Sequence, residues 1–237
     1  MHNIPHTDGR KEHPLIATAL NTLAIIACVY GLGFFRSPHH FSLAIPAIIF
    51  PLTVAIWLHS EGSYEAFSQL LLAFLAPSVF LALRALVDFQ LVSFTLIWSI
   101  ALICGLAVTL TMLQKYKRVP EPKFITANPA PDKNQVFIAL AFVCTALYFY
   151  GAVAEANAVF DRSAAQTYEA TVLGKAFSGG RGGQYSLELA PWGPQERATS
   201  VSVTQGIYHS AQVGQSVCVE LHSGALKVPW YVLYSCH

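Results

Sequence analysis

The residues with the most chemical potential lie at the end of the chain. Cys218, Glu220 and His222 recur at a spacing of two, and Cys236 and His237 close the sequence. On a regular β-strand that spacing puts the first three side chains on one face. Thiolate and imidazole donors suit zinc or copper. The strand rise, however, spreads positions i, i+2 and i+4 over roughly 13 Å, too far for one ion without a bulge. A disulfide between Cys218 and Cys236 is the stronger expectation, because a small domain in an oxidising compartment gains much from such a staple. Cys218, His222 and Cys236 stand as the alternative metal set. Cys28, Cys104 and Cys144 fall within apolar runs and read as small core residues.

Three polar residues stand out in otherwise apolar sequence. Asn21 needs a hydrogen-bond partner if it lies in hydrocarbon, so it is expected to face another helix. Arg84 and Asp88 are four apart and share a helix face. Their place near a helix end favours an anchor at the membrane boundary over an ion relay. Other candidates reduce to solvated segments. His2, His6 and His13 match no ordered ligand spacing. His59 with Glu61 and Glu65 reads as a polar link. The glycine-rich SGGRGG at 178–183 lacks the Gly-Lys-Ser/Thr of a phosphate loop and precedes a strand, so it is a hairpin turn with Arg181 at its tip. There is no G-x-S-x-G and no H-E-x-x-H. No catalytic residue and no cofactor is expected, and the chain leans away from an enzyme.

The elements that position these residues follow from composition. Of the 237 residues, 54% are hydrophobic and only 11% charged, with a formal net charge of +1. Soluble domains carry about 25% charged residues, and a near-neutral chain offers no broad basic face to nucleic acid. The apolar residues fall in blocks long enough to cross a hydrocarbon core of about 30 Å as helices. Five transmembrane helices are expected, at 15–35, 41–58, 66–87, 91–113 and within 136–155. Pro46, Pro51 and Pro77 kink the second and third. A polar tail, 1–14, precedes them.

The segment 114–135 breaks the apolar pattern. It carries Lys115, Lys117, Arg118, Lys123 and Lys133, and Pro120, Pro122, Pro129 and Pro131 keep it extended. With Arg10 and Lys11 it concentrates the cations on one side of a five-span chain. The positive-inside rule then puts the N-terminus in the cytoplasm and the C-terminus outside.

From about 156 to 237 the period changes to two. Short alternating runs at 168–172, 185–189, 201–204, 217–222 and 228–234 are separated by turn residues, which predicts five strands in a small barrel or sandwich, OB-like or SH3-like. The layout resembles a broad set of uncharacterised bacterial inner-membrane proteins that carry a small extracytoplasmic β-domain. The resemblance rests on Tyr168, TVLGK at 171–175, Tyr185, PWG at 191–193, VGQSVCVELHSG at 213–224 and PWY at 229–231. The architecture is also similar to NfeD-type proteins with an OB-like tail. It covers the last third of the chain and carries over no catalytic residue. It implies an inner-membrane location with a periplasmic β-domain.

The functional expectation is a non-enzymatic protein, set in the lipid bilayer, whose periplasmic domain engages another envelope protein. A small transporter or channel component using Asn21, Arg84 and Asp88 is the first alternative. A metal- or redox-active envelope protein is the second.

Overall fold

The computed structural model describes residues 14–32, 41–60, 62–116, 132–179 and 183–236. The candidates His2, His6, His13, Glu61, Arg181 and His237 and most of the basic segment lie outside them. In chain order the elements are α1 (Pro14–Leu32), α2 (Phe41–His59), α3 (Tyr64–Gln69), α4 (Leu71–Val87), β1 (Gln90–Leu91), α5 (Thr95–Lys115), α6 (Lys133–Val159), β2 (Gln166–Ser178), β3 (Gln184–Leu189), β4 (Thr199–Val203), α7 (Gln205–Ser210), β5 (Ser216–His222) and β6 (Trp230–Tyr234). They form two compact units. The helical unit comprises Met1–Ala85 and Trp98–Val153, and the β unit comprises Leu86–Ile97 and Ala154–His237.

Helices of the helical unit bury alanines together with large side chains such as Phe50, Trp57, Phe74 and Phe137, and expose aliphatic ones. On α1, Ala17, Leu20, Ala24, Ala27 and Cys28 are buried, while Ile25, Ile26 and Val29 face outward. On α5, Ile97, Ala101 and Met112 are buried, and Ile103 is 69% exposed. Small residues let helix backbones approach closely. Gly151 on α6 is the tightest case, since a β-carbon there would strike the Leu81 and Ala82 backbone of α4.

Paired contacts set the direction of each helix. Asn21 bonds Gln69 and Ala73, and Gly31 further along α1 accepts from Arg84, so α1 and α3–α4 run the same way. Trp98 stacks on Tyr150 at 4.5 Å and Tyr116 on Phe137 at 4.0 Å, so α5 and α6 are antiparallel. The Tyr148 hydroxyl donates to the Ala47 carbonyl at 2.7 Å and Trp57 stacks on Phe137 at 5.5 Å, so α2 and α6 are antiparallel. Phe67 meets Phe137 while Leu81 meets Gly151, which makes α3–α4 parallel to α6. Direction therefore alternates along the chain, with α3–α4 counting as one broken helix.

Two helices, α5 with 21 residues and α6 with 27, are individually long and apolar enough to cross a membrane. Five such helices are expected from the sequence; among the described residues two meet the length and composition on their own. The other apolar segments, Leu15–Gly31, Leu43–His59 and Leu71–Val87, are shorter. For the third expected span the physical reason is a break. Leu70, at φ −94° and ψ 4°, ends α3 and leaves only 17 residues to α4.

The β unit is a nearly closed, barrel-like antiparallel sheet of six strands in the order β1-β6-β5-β2-β3-β4. Five strands were expected. The sixth, β1, is a two-residue strand between α4 and α5 that pairs Gln90 with Tyr231 and Leu91 with Trp230. A two-residue strand has no period to read. Strand β2 curls the sheet: Gln166–Thr171 pair with β5, Val172–Ser178 pair with β3, and a register shift falls between Val172 and Gly174. Such bulges bend a strand and increase its twist. The core comprises Ala170, Val172, Leu187, Leu189, Trp192, Val201, Val203, Val217, Val219 and Tyr231. These are the alternate positions of each run, as a half-buried sheet requires. The short helix α7 is started by Thr204, whose hydroxyl accepts from the Ile207 N–H at 3.2 Å.

Candidate functional site

Cys218 and Cys236 are joined as a disulfide with a Cα–Cα distance of 5.1 Å. The register makes this possible: Cys218 faces Tyr234 across β5 and β6, so Cys236 lies two residues beyond the pair. Both sulfurs are thereby removed from the proposed metal set. His222, the third member, stacks flat on Trp230 with ring centroids 4.2 Å apart, and its Nε2 lies 3.3 Å from the Glu220 carboxylate. Among the described residues no group of three or more His, Cys, Asp or Glu side chains converges as a metal site. The β5 face carries a stapled strand with a histidine–carboxylate contact.

Asn21 occupies a specific place. In an unbroken helix the Ala73 N–H would donate to the Gln69 carbonyl. Instead the Asn21 amide sits in that gap: its Nδ2 donates to Gln69 O at 2.6 Å and its Oδ1 accepts from Ala73 N at 2.9 Å. A side chain inserted in the i→i−4 ladder is a recognised cause of a helix break. Both freed backbone groups are thereby hydrogen-bonded.

Arg84 is 1% exposed, and its Nη1 donates to the Gly31 carbonyl at 3.3 Å. It lies between helices rather than reaching outward as a boundary anchor. Asp88 lies one residue past α4 and is half-buried. His59 turns back on its own helix, with Nδ1 2.9 Å from the Ala55 carbonyl. Buried hydroxyls also turn back, as Thr53 does to Ile49 and Ser78 to Phe74. Thr109 and Thr145 meet across α5 and α6 at 3.0 Å.

A second polar centre, in the β unit, was not read from the sequence. Asn157, on the last turns of α6, is fully buried. Its Nδ2 donates to Val228 O, its Oδ1 accepts from Leu226 N, and its carbonyl accepts from Ala225 N, each at 2.9 Å. Asp161 accepts from Gly224 N at 2.8 Å, from the Trp230 indole at 2.9 Å and from Ser163 N at 2.8 Å. Ser163 in turn accepts from Ser223 N at 3.1 Å. The turn between β5 and β6 is thus laced to the end of α6. Gly224 has φ +79°, and a β-carbon there would overlap Asn157, so the position requires glycine. Burial pushes the Asp161 carboxyl up, but the hydrogen bonds from Ser163, Gly224 and Trp230 outweigh it and hold the group below its ordinary range. Burial pushes the Tyr231 hydroxyl up to about 12. The available signal was Asn157 and Asp161, one turn apart, ahead of a glycine-bearing turn. It has no meaning until the fold brings the two segments together.

The opposite end of the unit carries a run of rings. Phe177 stacks on Tyr185 at 4.8 Å, Tyr185 meets Tyr208 at 4.8 Å, and Lys175 Nζ sits 4.4 Å over the Tyr208 ring. Lys175 also donates to the Ala211 carbonyl at 2.7 Å, so its charge is held inward along the sheet.

No family model, no curated protein and no solved structure matches this chain.

Proposed function

We propose that the chain is a five-crossing protein of a bacterial inner membrane that displays its β unit in the periplasm to engage another envelope protein. One observation carries the membrane part: helix direction alternates from α1 through α6, counting α3–α4 as one, while the outward faces are aliphatic. Water-soluble bundles put polar residues on that face. The shorter segments then cross by local thinning of the bilayer or by placing flanking residues at the interface. The cations of Lys115–Lys133 orient the whole. The disulfide supports an oxidising compartment for the β unit.

The topology test is a pair of alkaline phosphatase fusions. The expected result is an inactive fusion after Asn128 and an active one after Cys236. The opposite pattern would invert the orientation and bring down the periplasmic assignment. For the partner, crosslinking in intact cells followed by affinity isolation of the full chain is expected to retain a reproducible envelope protein. Recovery of the chain alone would remove that part of the reading.

A second reading draws on the α3–α4 break. Discontinuous helices line substrate paths in transporters, and Asn21 sits in this one. Flux through proteoliposomes that falls on Asn21→Ala would favour a transport component. Unchanged flux would remove Asn21 from that reading.

A further inference from the structure

Helix α6 is continuous over 27 residues, from Lys133 to Val159. At 1.5 Å per residue, about 20 residues cross a hydrocarbon core of about 30 Å. Counted from Val136, where the fifth expected span begins, the core ends near Glu155, and the last turn carries Asn157 toward the headgroups. Asn157 and Asp161 grip the turn between β5 and β6 through its Gly224, Ala225 and Leu226 N–H groups and the Val228 carbonyl. That turn is therefore held at the end of α6.

Two short segments meet there, and each couples an exposed apolar side chain with an exposed cation. Phe160 is 71% exposed and is followed by exposed Arg162. Leu226 is 42% exposed and is followed by exposed Lys227. Lys227 takes φ 58°, an uncommon conformation for a residue with a β-carbon, and its N–H closes the turn onto Gly224 O at 3.0 Å. Of the neighbouring acid groups, Asp161 accepts three donors, Glu155 is buried and Glu220, with its side chain 36% exposed, lies against His222. The charged side chains of the two segments that face outward, Arg162 and Lys227, are both cations. Apolar tips beside cations fit the acyl–headgroup boundary of an anionic leaflet.

We infer that this corner, Phe160, Arg162, Leu226 and Lys227, docks on the bilayer surface and pairs with anionic phospholipid headgroups. The inference rests on the membrane reading above and adds a defined lipid contact for the β unit. Val213 provides the internal contrast. It is 60% exposed and precedes β5, whose far end lies roughly 20 Å from the Leu226 turn along the strand.

The experiment uses the full chain in vesicles of phosphatidylethanolamine and phosphatidylglycerol. The photoreactive residue p-benzoylphenylalanine replaces Leu226, Val213 or Ile103, one at a time, and phospholipid adducts are read by mass spectrometry. The expected result is lipid adducts at Ile103 and Leu226 and none above background at Val213. Combining Arg162→Gln and Lys227→Gln is expected to lower the Leu226 adduct by about fivefold or more, the worth of at least one cation near an anionic surface. Lipid capture at Ile103 with none at Leu226 would overturn the inference and leave the membrane reading intact. Capture of a protein at Leu226, or equal lipid capture at Val213, would also overturn it. Labelling indifferent to the two cations would refute the headgroup pairing. Absence of lipid at Ile103 itself would instead bring down the membrane reading.

Discussion

Leu187 and Leu106 both sit in regular secondary structure, yet Leu187 is fully buried in the β unit and Leu106 is 50% exposed in the helical unit. The contrast extends to their neighbours. In the β unit the large side chains, Trp192, Tyr231, Leu187 and Leu189, form the core, and Ser186, Glu188 and Ser200 point outward. In the helical unit alanines, glycines, back-bonded hydroxyls and a set of rings, among them Phe50, Trp57, Phe67, Phe74 and Phe137, lie between helices, and leucines and isoleucines coat the outside. One unit is stabilised by removing apolar surface from water. On the membrane reading proposed above, the other faces a medium as apolar as its own surface, where helix packing and hydrogen-bonded polar groups set the structure.

The sharpest way to break this comparison is to make the same truncation in both units. Leu187→Ala is expected to destabilise the β unit by about 3 kcal/mol, whereas Leu106→Ala is expected to change the helical unit by less than about 0.5 kcal/mol. Hydrogen exchange of the full chain in micelles, resolved by peptide, measures both. Equal losses would mean that the outer face of α5 is itself a core.

Removal of the staple is next in size. Cys218→Ser with Cys236→Ser is expected to weaken the β unit by about 3 kcal/mol and to leave exchange in α1 to α5 unaltered. Faster exchange in the helices would show the units to be less separable than this contrast holds.

Asn21→Leu keeps volume and removes the inserted amide. The expected loss is about 1 kcal/mol, typical of a polar contact between helices in an apolar medium, with the largest change in exchange at the Ala73 amide. No change there would mean that the α3–α4 break does not depend on Asn21.

The smallest effect concerns acid. The Asp161 carboxyl is held below its ordinary range in the folded chain, so its contribution is fully present above the unfolded value of about 3.9 and fades as pH falls through the lower folded value. Asp161→Asn is expected to weaken the β unit at neutral pH and to converge with the parent protein as the pH drops below about 4. Urea unfolding across pH checks this, and a constant gap at all pH values would refute the role given to the charge.

Legibility differed between the units for physical reasons. Alternation at Val201, Val203, Val217, Val219 and Leu187, Leu189 is a local pattern, and β3, β4 and β5 fall on it. Strand β1 is too short to carry a period, and so is the six-residue helix α7. The helix break at Leu70 left no mark on its own segment, because the amide that fills it bonds Gln69 from 48 residues earlier. Arg84 near a helix end reads as an anchor, and only neighbouring helices make it a buried donor to Gly31. The lacing of Asn157 and Asp161 joins positions about seventy residues apart, as the separations of 69 and 71 at Leu226 and Val228 state.

Composition and spacing, which act over a few residues, are enough to set the apolar character of each segment and the period of the longer elements. The sequence also held the two cysteines that pair. Only the tertiary structure decided which polar group satisfies which: Asn21 in the break, Asn157 and Asp161 on the Gly224 turn, and Cys218 within reach of Cys236. These are close-range bonds between distant positions. Their geometry depends on helix direction and strand register, which no local pattern encodes.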